Sequence, residues 1–139
     1  MKVLSPEPIQ FSKALAVVRI IVGLLMVYHG LEVFDSEVMQ GYMKWDVFKN
    51  KAATALVYAG KASELIAGLL LTLGLFTRLG GVLLTGTMLY ITFFVGQGRF
   101  WYEDQHPFMF VLFGILFVFL GPGAWSLDRT LWKGKAPAT

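Results

Sequence analysis

Four apolar segments, each close to the ~20 residues that cross ~30 Å of hydrocarbon, fill most of this 139-residue chain and limit its folds more than any other feature. They lie at about residues 12–34, 52–76, 79–96 and 107–127. The chain is 56% hydrophobic and 15% charged, with a mean hydropathy of +0.63, far more apolar than a soluble domain of this length. The expectation is an all-α integral membrane protein, one domain over residues 1–139, folded as an antiparallel up-down four-helix bundle. Only Thr77 and Arg78 separate the second and third segments, so these two must run as antiparallel neighbours.

Pro6 and Pro8 disfavour a helix in the leader. Arg19 interrupts the first apolar run and no small-x-small cleavage site follows it, so the segment is expected in the mature protein and not as a signal peptide. Between the first two spans, Val38, Tyr42, Trp45 and Phe48 recur at helical spacing, which predicts a short interfacial helix over 38–49 with Lys44 and Lys49 toward headgroups. Pro107 suits the start of the fourth helix. Gly121, Pro122 and Gly123 should end it, leaving residues 124–127 to finish the crossing as irregular chain.

Lys2, Lys13, Arg78, Arg129, Lys133 and Lys135 fall on one side of this topology, and Lys44, Lys49, Lys51 and Arg99 on the other. The positive-inside rule then favours both termini in the cytoplasm. The net charge of +3 is scattered singly, so it is assigned to orientation and not to nucleic acid.

Glu64 sits inside the second apolar segment, where an ionised carboxylate costs roughly 3 kcal/mol without a partner, a proton or water. Arg19 is the matching problem in the first segment. From the rise per residue, Arg19 lies roughly 10 Å and Glu64 roughly 18 Å from the same end, which predicts a direct pair or a shared buried polar network. Gly60, Glu64, Ala67 and Gly68 share one face, and Arg19, Gly23, Met26 and Gly30 another, small-residue surfaces on which the two helices should pack. Lys61, one turn from Glu64, is a competing partner.

His29 ends the first span and His106 opens the fourth, with Glu32, Asp35, Glu103 and Asp104 near them in sequence. Two histidines at similar depth fit a haem or, with carboxylates, a metal, but no tight ligand spacing such as H-x-x-x-H supports either, and no metal is assigned. A quinone headgroup held by His29, Glu64 or Tyr28 is favoured over haem. With no cysteine, thiol chemistry and Fe–S ligation are excluded, and no phosphate-binding loop, G-x-S-x-G or HExxH is present.

Arg19 with Gly23 and Tyr28-His29-Gly30, then Gly60 with Glu64 and GLLLTLGLFTRLGG, and finally GPGAWSLD from 121 to 128, together resemble the DoxX family of small four-helix bacterial membrane proteins. The resemblance implies a polar core of Arg19, His29, Glu64 and Arg78, with Gly121, Pro122, Gly123 and Asp128 as motif positions. It also implies a role like that of a membrane subunit linked to thiosulfate oxidation with quinone as acceptor, or of other redox and oxidative-stress complexes.

The first reading is therefore a non-autonomous membrane subunit of a quinone-associated redox complex, its chemistry belonging largely to a cofactor or partner. The second is a non-catalytic structural subunit or assembly factor that holds other membrane proteins. The third is a small transporter, which four helices would support only as an oligomer.

Overall fold

The computed structural model describes residues 4–48 and 51–133, and within them the chain is all-helical, with no strands. The helices are α1 (Phe11–Gly30), α2 (Ser36–Met43), α3 (Lys51–Leu73), α4 (Thr77–Tyr90), α5 (Gln105–Leu120) and α6 (Leu127–Leu131). A 3-10 turn, Leu31–Phe34, extends α1, and a π-helical turn, Ile91–Val95, extends α4. Three helices are long and apolar enough to cross a membrane: Phe11–Phe34, Thr54–Leu73 and Thr77–Val95. The fourth apolar helix has 16 residues, about 24 Å of rise against ~30 Å of hydrocarbon.

α1 and α3 pack antiparallel along the predicted small-residue faces. A Cβ added at Gly23 would lie 2.5 Å from the Thr72 backbone nitrogen, and one at Gly68 the same distance from that of Val27. Gly60 departs from the expected face, for nothing lies within 4 Å of a Cβ built there. α4 and α5 meet through Gly81 and Gly114, each of which would push a Cβ to within 3 Å of the other's carbonyl oxygen. α3 also packs against α4, and one apolar cluster takes Val22 and Met26 from α1, Leu71 from α3, Leu84 and Met88 from α4, and Phe110 and Phe117 from α5.

The linker after α1 does form a short helix. Asp35 caps α2, its Oδ1 accepting from the N–H groups of Glu37 (3.0 Å) and Val38 (3.2 Å). Its most buried residue is Met39, outside the predicted stripe, packed with Phe48 and Val57, while Trp45 is exposed. Lys49, at the end of the predicted segment, lies outside the described residues, as do Lys2 and Lys135.

α3 stops in a Schellman turn. Leu75 N–H donates to the Leu70 carbonyl (2.9 Å), Gly74 N–H donates to that of Leu71 (3.2 Å), and Gly74 takes φ +63°. α5 begins at Gln105, two residues before Pro107, and ends at Gly121, φ +75°. The chain then turns back onto α1: Ala124 N–H donates to the Ser12 carbonyl, and a Cβ on Gly123 would sit 2.7 Å from that same oxygen. The molecule thus has an α2 end and an α6 end, each carrying buried charge.

Candidate functional site

At the α6 end Arg19, with none of its surface exposed, spends its charge on backbone. One terminal guanidinium nitrogen donates to the Leu71 carbonyl (2.9 Å) and the other terminal nitrogen to those of Ala124 (3.1 Å) and Trp125 (2.8 Å), while Nε has no hydrogen-bond partner among the described residues. The first acceptor, which also receives the Gly74 N–H of the Schellman turn, is among the last carbonyls of α3, at the negative end of the helix dipole. Asp128 completes this end by accepting from Phe76 N–H (2.6 Å) and Thr77 N–H (2.8 Å), the start of α4. Gly74 packs so closely on the guanidinium that a Cβ would collide with it.

The predicted contact between Arg19 and Glu64 is not made. Helical side chains lean toward the N-terminus of their own helix. α1 and α3 run in opposite directions, so Arg19 leans toward the α6 end and Glu64 toward the α2 end. The gap of roughly 8 Å in their depths could be bridged only by side chains leaning toward each other, and these lean apart.

Glu64, 5% exposed, instead pairs with Lys61, the competing partner, at 2.9 Å. The same ammonium reaches Glu32 at 2.8 Å, and Glu32 accepts from the Tyr42 hydroxyl at 2.7 Å. Lys61 Nζ also lies 4.9 Å from the centre of the Tyr42 ring, within cation–π range. Burial, and then the hydrogen bond to the Glu32 carboxylate, push the Tyr42 phenol above its ordinary pKa. With all three ionised, two carboxylates face one ammonium, so this cluster is formally one charge negative.

The cluster opens onto a cavity of about 240 Å³ that both histidines line. The rings of His29 and His106 meet edge to face with centroids 6.3 Å apart, and His106 also meets Phe110 at 5.3 Å. Met26, Met88 and Phe110 form apolar walls, and Gly60, whose missing side chain leaves room, lines the same space. Tyr28 is 71% exposed and does not line it: one residue from His29, it is turned about a quarter of the way round the helix. Among the described residues no three His, Cys, Asp or Glu side chains converge as a metal site.

Tyr42 and Trp45, taken from the sequence as an interfacial stripe, are cavity residues. The signal for the cluster was present as two i,i+3 pairs, His29 with Glu32 and Lys61 with Glu64.

A family model, DoxX, matches residues 14–97, the stretch that supplies the α2-end cluster and Arg19. The chain belongs to the DoxX family. It is similar to an uncharacterized protein of Haemophilus influenzae, 27% identical over 126 residues, which cover 86% of this chain and 91% of the relative. It is also similar to an uncharacterized membrane protein of Mycobacterium tuberculosis, 29% identical over 130 residues, covering 84% of this chain and 80% of that one. No solved structure matches. The DoxX match ends before Gly121, Pro122, Gly123 and Asp128, whose setting comes from the contacts above.

Proposed function

We propose that this DoxX-family membrane protein is a subunit of a redox-linked complex in the bacterial inner membrane, and that its α2-end cavity takes a quinone headgroup. The observation that carries this reading is the convergence of His29, His106, Lys61 and Glu64, from three helices, on one apolar-walled cavity. At about 240 Å³ it lies below the ~300 Å³ lower bound typical of pockets for drug-sized ligands and suits a single ring. Lys61 and the imidazoles offer donors to a ring carbonyl. Glu32 and Glu64 hold Lys61 on the cavity wall. A bound quinone would supply two-electron chemistry, and the electrons would come from or go to a partner subunit.

The same proposal takes the chain as one membrane domain with four antiparallel crossings. α5 and the turn after it would complete the fourth, with both termini in the cytoplasm. The return of residues 121–126 to the start of α1 supports that arrangement, because it brings the far end of α5 level with the beginning of the first span.

Quinone extracted from protein purified in mild detergent, quantified per mole beside Glu64→Gln, tests the site. Near-stoichiometric quinone that the variant loses is the expected result. Trace quinone in both proteins removes the redox reading and favours the assembly or structural subunit. For that second reading the exposed aromatics Phe94, Trp101 and Tyr102 offer a docking surface.

A further inference from the structure

A second cavity, of about 650 Å³, lies at the α6 end between the turn joining α3 to α4 and helix α6. Arg78, Arg129 and Lys133 line it, together with Asp128. The carboxylate of Asp128 is already engaged by the two N–H groups that open α4, so the cations outnumber the acid three to one and the acid is committed. Neither Arg78 nor Lys133 makes a hydrogen bond or ion pair among the described residues.

Two further observations point to a ligand. Thr77, also on the wall, is 1% exposed, yet its hydroxyl has no hydrogen-bond partner among the described residues. Phe76, Leu79 and Trp132 line the same cavity and are about half exposed, so apolar surface adjoins the cations. The cavity lies where a spanning helix begins, the level at which phosphate meets acyl chain. A soluble anion would use the cations alone, whereas a phospholipid uses the apolar wall as well.

We propose that this cavity binds the phosphate headgroup of an anionic phospholipid, with Arg78, Arg129 and Lys133 on the phosphate and Phe76, Leu79 and Trp132 along the first acyl carbons. Basic pockets between membrane helices bind such headgroups by adding short-range charge to burial of the chain.

The full chain in mild detergent, titrated with phosphatidylglycerol, phosphatidylcholine or inorganic phosphate and followed by native mass spectrometry and thermal melting, tests this. Phosphatidylglycerol should bind in preference to phosphatidylcholine and raise the Tm, while inorganic phosphate does neither. Arg78→Gln with Lys133→Gln should weaken phosphatidylglycerol on the order of 30-fold. Arg99→Gln, which removes a cation from the α2 end, should leave its affinity unchanged. Equal binding of the two lipids, full affinity in the double variant, an equal loss in Arg99→Gln, or a Tm rise with inorganic phosphate alone would each overturn the site.

Discussion

Arg19 and Glu64 are both buried charges on the facing helices α1 and α3, but their surroundings differ in kind. Around Arg19 the acceptors are carbonyls, a covalent part of the chain, and the space is closed by Gly74 and the turn after α5. Around Glu64 the partners are side chains that titrate or rotate, and the space is open. Carbonyls on both terminal nitrogens of Arg19 lock the helices together, and its Nε, buried without a hydrogen-bond partner among the described residues, lines neither cavity. A charge satisfied by another side chain at the rim of a cavity can exchange that partner for a ligand atom, and the α2 end is built in this way.

The sharpest way to break this contrast is Arg19→Met, which takes the guanidinium donors from the Ala124 and Trp125 carbonyls, removes one of the two donors to that of Leu71, and should cost about 3 kcal/mol. Reversible unfolding in mixed micelles measures it, and a loss under about 1 kcal/mol would mean that the α6 end is not locked by this residue. Asp128→Asn tests the second clamp of the same end: the weakened cap on α4 should cost about 1 kcal/mol in the same assay. Glu64→Gln should cost less, about 0.6 kcal/mol, because Lys61 keeps Glu32 and polar contacts in membranes are individually weak.

A pH experiment sharpens the comparison from the α2 side. The Tyr42 phenol is raised by burial and by Glu32, so the folded state prefers it neutral. Its contribution to stability is fully present below the ordinary phenol pKa and is lost as pH rises through the raised folded value. In the difference between wild-type and Tyr42→Phe absorbance titrations, this phenol should ionise above its ordinary range, and Glu32→Gln should bring it down. An unchanged titration in Glu32→Gln would separate Tyr42 from the cluster.

Much of the framework was legible from residue types. Apolar length marked the spanning segments, and Gly23, Gly30 and Gly68 marked the α1–α3 contact because only small residues permit that approach. The partners of Arg19 were not legible, since every residue carries a carbonyl and nothing in the letters singles out those of Leu71, Ala124 and Trp125. The lean of side chains along antiparallel helices decided between Arg19 and Lys61 as the partner of Glu64, and it depends on direction as well as depth. Tyr28 and Tyr42 show the same limit: both are tyrosines near one end of the molecule, and only the direction each side chain takes from its own helix turns one outward and the other onto the cavity.

A double-mutant cycle between Arg19→Gln and Glu64→Gln, read as unfolding free energy in mixed micelles, tests most directly whether the two buried charges have separate tasks. Independent ends predict additivity, with a coupling below about 0.5 kcal/mol. A coupling of about 1 kcal/mol or more would contradict the account and join the two residues in one network.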